Sequence, residues 1–143
     1  TIHYTDDWVS FGVRNGSIPF ELQYPVDWVL RENVFFTPRD RRIAEFFPGA
    51  VDLKKGQSCL DDRRGTDTEG VVEEQEFSTE LYQGIKRLER IGEPAEGRTL
   101  PWYRVVYCLS DGERAFRMAF FTRGPDEDDL ALFDYIMMRF RFE

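Results

Sequence analysis

A net charge of −8 and a sequence pI of about 4.8 over 143 residues argue against a whole-chain nucleic-acid binder, which carries a basic excess, and against a general attraction to anionic membranes. The length suits a single domain, residues 1–143, and 13 Phe, 6 Tyr and 3 Trp in a 41% apolar chain supply an aromatic-rich core. Residues 1–70 hold 12 acidic and 9 basic side chains and residues 71–143 hold 15 and 10, so neither half is a detachable charged tail. No apolar run approaches the ~20 residues of a membrane-spanning helix. No signal peptide is visible; a leader or tether removed ahead of Thr1 would leave this same sequence.

The first predicted strand is Trp8 to Val13, where apolar and small residues alternate. Asn15-Gly16 is a strong hairpin turn, and Ile18 to Tyr24 follows as the second strand with Phe20, Leu22 and Tyr24 on one face. Pro25 breaks that strand. Trp28, Leu30, Val34 and Phe36 predict a third extended segment with a kink or turn at Arg31-Glu32-Asn33. A polar turn at Pro38–Arg42 precedes a fourth strand, Ile43 to Phe47. Residues 50–76 read as a long charged loop with one short strand near Gln57–Leu60; loops of that length are often functional or partly mobile.

Ser78 is a helix cap, and Phe77, Leu81, Ile85 and Leu88 recur at helical spacing, which predicts a helix from 79 to 89. A strand through 85–91 is the competing reading. The stretch Trp102 to Phe121 organises the rest. It reads as two apolar arms folded back on Ser110-Asp111-Gly112, central in a sheet. Asp126-Glu127-Asp128-Asp129 then places negative charge at the positive end of a second helix, whose inner stripe is Leu130, Phe133, Met137 and Phe140 with Ile136 beside it. Phe140-Arg141-Phe142 closes the chain as a short extended tail. A meander of strands with two helices is an α+β domain.

Candidate chemistry is sparse. There is no catalytic triad, and the single histidine, His3, lies at the start of the chain. Arg39, Arg41, Arg42, Arg63 and Arg64 are a candidate anion or partner site on an acidic protein; a solvated surface with local ion pairs is the plainer reading. Asp126–Asp129 lacks the spaced ligands of a calcium loop and is better read as a helix start. The acidic group Asp61, Asp62, Asp67 and Glu69 is equally plain. Carboxylate pairs Glu21 with Asp27 and Asp111 with Glu113 are the weakest candidates, for an enzyme that uses carboxylates alone. The adjacent aromatics Phe35-Phe36, Phe46-Phe47 and Trp102-Tyr103 call for two covered sheet faces or an aromatic groove. Cys59 and Cys108 are consistent with a disulfide, which implies an oxidising compartment, and equally with two unrelated buried thiols. Two cysteines cannot build a four-ligand zinc site, and no metal or other cofactor is expected.

The order of features at the two ends of the chain resembles PsbP-like domains. Trp8-Val9-Ser10-Phe11, Asn15-Gly16 and then Ile18 through Tyr24-Pro25-Val26-Asp27-Trp28 match their opening strand, turn and extended segment ending in Tyr-Pro-x-x-Trp. The hairpin, acidic turn, helix and closing Phe140-Arg141-Phe142 match their ending. The likeness covers about half of the chain; residues 38–100 carry no matching motif. It implies an α/β/α sandwich: a central antiparallel sheet flanked by helices, with the C-terminal helix packed on it. It also implies a binding or assembly module without shared catalytic residues, extracytoplasmic in a periplasmic, lumenal or cell-envelope setting, of which the soluble domain of a bacterial lipoprotein is one form. The expected partner is a protein, with no nucleic acid and no membrane span. A carrier of a small molecule or metal is the alternative.

Overall fold

The computed structural model describes residues 9–11, 20–32, 34–39, 41–45, 50–52, 71–91, 102–124 and 126–142; for residues 9–11, 50–52, 91 and 102 it describes the backbone only. The fold is mostly β, with one helix among the described residues, and it is not an α/β/α sandwich. Two sheets form. The larger has the order β3(Val29–Arg31), β4(Val34–Phe36), β5(Arg42–Glu45), β10(Arg114–Thr122), β9(Trp102–Ser110), β8(Gln83–Ile91) and β7(Val71–Glu76), and β6(Ala50–Asp52) also pairs with β10. Every pairing in it is antiparallel. The smaller sheet has the order β1(Val9–Phe11), β2(Phe20–Leu22) and β11(Arg141–Phe142).

The β9–β10 hairpin is the central pair that its sequence pattern predicts. Its register sets Leu109 opposite Phe116, Tyr107 opposite Met118 and Val105 opposite Phe120. All six are fully buried on one face of the sheet. The turn works because Gly112 takes φ of +96° and Asp111 Oδ1 accepts from the backbone N–H groups of Glu113 and Arg114. β5 and β6 lie along the same side of β10, but out of step. From Glu45 to Ala50 the chain advances five positions while β10 moves only from Ala119 to Phe116.

The helix α1(Glu127–Met138) covers that face. Asp126 caps it by accepting from the Asp129 N–H at 2.8 Å, and the first turn is acidic as the macrodipole favours. Phe133, Ile136 and Met137 are buried, and Phe133 stacks on Phe120 at 4.5 Å. The small sheet covers the remainder. Phe20 meets Phe116 at 4.5 Å and Phe140 stacks on Phe116 at 4.2 Å. The predicted extended tail is real: β11 pairs with β2, and the Phe142 N–H donates to the Tyr82 hydroxyl.

Several expectations need correction. The helix expected over 79–89 is β8 over most of its length, so the competing strand reading holds. Ser78 does not cap a helix; Thr79 Oγ1 instead accepts from the N–H groups of Leu81 and Tyr82 in the turn before β8. The apolar spacing misleads because β8 buries charges: Arg87 and Glu89 stand at strand alternation, buried in ion pairs. The region 50–76 is not one loop, since β6 opens it and β7 closes it. The short strand expected near Gln57–Leu60 lies outside the described residues, as does the Asn15-Gly16 turn. The third segment is the hairpin β3–β4, with the turn residue Glu32 at φ of +58°. The fourth strand begins at Arg42, and a bulge between Phe35 and Phe36 lets Ile43 and Ala44 both enter the core.

Gly84 sits in tight packing within the sheet. A Cβ there would lie 2.2 Å from the Cys108 carbonyl oxygen and 2.8 Å from that of Phe77. Both are backbone atoms, so neither can move aside cheaply. Gly84→Ala is expected to lower stability by about 2–3 kcal/mol in urea denaturation, with the slope unchanged. A neutral substitution would show that β8 sits further from β9.

Candidate functional site

Two polar constructions stand out, one on each face of the larger sheet. On the helix-covered face, Lys86 on β8 and Tyr107 on β9 are register partners. Asp134 of α1 comes down onto both. Lys86 Nζ donates to Asp134 Oδ1 at 2.9 Å and Oδ2 at 3.1 Å, and the Tyr107 hydroxyl donates to Oδ1 at 2.6 Å. Tyr107 is fully buried and the Lys86 side chain is 11% exposed. Burial and the neighbouring carboxylate, as acceptor and as negative charge, all push the Tyr107 phenol far up from its ordinary value. The lysine is thus held in an ion pair with its carboxylate partner. The arrangement therefore fastens helix to sheet.

Beside it lies a hollow open to solvent, lined by Glu73 and Gln75 of β7, Lys86 and Leu88 of β8, and Leu130 of α1. Its floor is apolar. Glu73 makes no ion pair among the described residues.

On the opposite face an alternating row of charges crosses three strands. Arg87 is 3% exposed. Its Nε donates to Glu74 Oε1 at 2.9 Å, its Nη2 reaches the same oxygen, and its Nη1 lies 3.7 Å from Glu89. Glu89 accepts from Arg104 Nε at 2.8 Å. Val106, Ala119 and Phe121 form a buried cluster on this face. Both faces thus carry buried residues, which accounts for the aromatic neighbours: Phe35 is in the main core and Phe36 is half-buried with Arg31 over its ring at 4.5 Å.

The structure gathers part of the predicted basic site. Arg39, Arg41 and Arg42 are exposed at the β4–β5 connection. Arg42 lies over the Phe121 ring at 4.3 Å and 3.9 Å from Glu45. Arg63 and Arg64 lie outside the described residues, as do Phe46, Phe47, His3 and the acidic group Asp61, Asp62, Asp67 and Glu69. The carboxylate pairs do not converge. Glu21 is engaged by Arg141, and Asp27 is exposed in a turn. Partial burial pushes Asp111 up, but the Arg114 side chain and the two turn N–H groups outweigh it and hold the carboxyl below its ordinary value. In the acidic run, Asp126 caps the helix and Asp129 lies 2.8 Å from the Thr122 hydroxyl. Among the described residues no three histidine, cysteine or carboxylate side chains converge as metal ligands, and no helix is long and apolar enough to cross a membrane. Cys108 is disulfide-bonded; Cys59, the other cysteine of the sequence, lies outside the described residues.

No protein-family model matches the chain. No curated protein and no solved structure is significantly similar to it.

Sequence reasoning passed over Lys86, Tyr107 and Asp134. Their only local signals are a lysine and an aspartate at inward positions of apolar elements, which becomes visible once β8 is read as a strand. Tyr107→Phe is expected to cost about 1 kcal/mol. Asp134→Ala strands the buried ammonium and is expected to cost about 3 kcal/mol or more, while the pair Lys86→Met with Asp134→Leu recovers most of it. Because the folded state raises the Tyr107 pKa, stability from this group is complete below pH 10.0, the ordinary tyrosine value, and is lost above it. Alkaline titration of the fold should show that loss, and Tyr107→Phe should shift it to higher pH. An unchanged alkaline limb would place the phenol in water.

Proposed function

We propose that this chain is a non-enzymatic, extracytoplasmic protein-binding or assembly module. The observation that carries the reading is β7. It ends the larger sheet, and from Val72 to Glu76 every residue is exposed, although the sheet it borders is buried on both faces. A strand that is outermost among the described residues is a surface on which proteins pair. The polar groups inside the fold support the same reading: the Lys86–Asp134–Tyr107 and Glu74–Arg87–Glu89–Arg104 sets satisfy one another and fasten the scaffold.

The Cys108 disulfide supports the compartment in this reading. A disulfide persists in oxidising surroundings, and pairing with Cys59 would close a loop of the chain onto the central hairpin. In a carrier, by contrast, a ligand needs an enclosed apolar pocket. The hollow beside β7 has a cavity volume of about 40 Å³, far below the ~300–1,000 Å³ usual for ligand pockets.

Two measurements test this. A thermal-shift panel of divalent metals and small metabolites is expected to be flat; a ligand that raises the midpoint by several degrees replaces the binding module with a carrier. A non-reducing peptide map is expected to join Cys59 to Cys108, with the midpoint falling under reductant. Free thiols at both positions remove the extracytoplasmic assignment.

A further inference from the structure

We infer that the outer edge of β7, together with the hollow beside it, docks an extended, basic segment of a partner protein as an added strand. The inference rests on the protein-binding reading and names the surface and the partner's chemistry.

Three observations converge. First, β7 has no strand on its outer side among the described residues, and β8 is its inner neighbour. The edge of a sheet offers a row of backbone donors and acceptors to an incoming chain. Second, the strand is acidic: Glu73, Glu74 and Glu76 are exposed, and among the described residues only Glu74 is held by a cation, Arg87. The first turn of α1, which carries Leu130 into the hollow, adds Glu127 and Asp128 to the exposed acidic surface. Third, the hollow lies over β8 and against α1, on the inner side of β7, where long alternate side chains of an added strand could reach across Glu73 and Gln75. Glu73 and Gln75 face it across from Leu88 and Lys86, with Leu130 beyond. An apolar floor with Glu73 at its rim suits the aliphatic stem of a lysine or arginine and its charged head. The Lys86 charge in the wall does not repel such a guest, since Asp134 already neutralises it.

Charge also selects the occupant. A second copy would bring the same glutamates against these, and like charges across a strand pair are destabilising. A basic segment finds the net −8 of the chain and the local carboxylates both in its favour. Backbone pairing then supplies affinity, and the hollow supplies selectivity for alternate positions.

The test titrates the intact chain with a labelled peptide of alternating lysine and valine, followed by anisotropy and by amide exchange. Binding is expected, weakened by added salt, with slowed exchange of the β7 amides. The double variant Glu73→Lys with Glu76→Lys should bind about tenfold more weakly or worse; both side chains are exposed, and circular dichroism checks that the fold is kept. Glu73→Gln with Glu76→Gln should fall between. A peptide of equal charge interrupted by prolines should bind poorly, because it cannot pair as a strand. Any of four results overturns the inference: no binding, equal binding of the proline-interrupted peptide, equal binding by the lysine double variant, or binding without protection of β7. A chain that pairs with itself through β7 would replace the basic partner with a second copy. If the metal and metabolite panel is flat and the disulfide is mapped, these failures remove this docking site and leave the binding-module reading intact.

Discussion

The antiparallel register of β9 against β10 is the constraint on which the other elements depend. Strand alternation places Val105, Tyr107 and Leu109 on the same side as Phe116, Met118 and Phe120. A slip of β9 by one residue would turn Val105, Tyr107 and Leu109 outward and bring Arg104 in. Everything that covers this face is placed by it: α1 through Phe133, the small sheet through Phe20, and the chain end through Phe140. The hairpin is also the shared neighbour of strands from both halves of the sequence. β10 takes β5 and β6 on one side, while β9 takes β8 on the other. The early and late parts of the chain therefore meet only through it in the larger sheet.

Around that apolar centre the buried charges are conditional. Lys86 and Arg87 are neighbours on β8 and point to opposite faces. Each is tolerated because a carboxylate reaches it, Asp134 from the helix and Glu74 from β7. Burying such a pair yields little net stability, but removing one member is costly. This gives the pairs a sorting role. They penalise a helix rotated on the sheet, or a β7 shifted along β8, more than leucines in the same places would. β7 is held by this means in spite of its exposure. Its own side chains bury little, so its attachment comes from the backbone ladder and from Arg87.

Legibility in the sequence follows the same division. The β9–β10 hairpin, the β1–β2 hairpin, the C-terminal helix and the closing tail were all readable, because each sets apolar residues at a clean period beside a turn or cap signal, whereas the β3–β4 hairpin reads as one extended segment with a kink or turn. β8 and β7 were not. β8 interleaves Lys86, Arg87, Glu89 and Arg90 with its apolar residues, so its alternation is hidden and Leu81, Ile85 and Leu88 mimic a helix. β7 is polar on both sides, as an edge strand can be, and it resembled loop. Both errors concern charged residues whose burial or exposure depends on partners far along the chain. With β8 misread, Lys86 could not be set beside Tyr107, and with β7 unread there was no edge to consider. The candidate site was therefore illegible; of the basic cluster, Arg39, Arg41 and Arg42 are exposed at the β4–β5 connection, with Arg42 over the Phe121 ring.

The fold implied by the PsbP-like likeness is the part that the structure corrects. The likeness drew on the two ends of the chain, and the α/β/α sandwich it implied is not the fold, since the segment expected as the first helix is a central-sheet strand. By itself the sequence determined what short-range physics controls: the apolar periods, the Gly112 turn, the Asp126 cap and an acidic, aromatic-rich composition. Only the tertiary structure decided which charges are buried, which strand ends the sheet and which residues flank the hollow. Those outcomes depend on contacts between residues tens of positions apart, such as Lys86 with Asp134, and the cost of burying a charge is known only once its partner is in place.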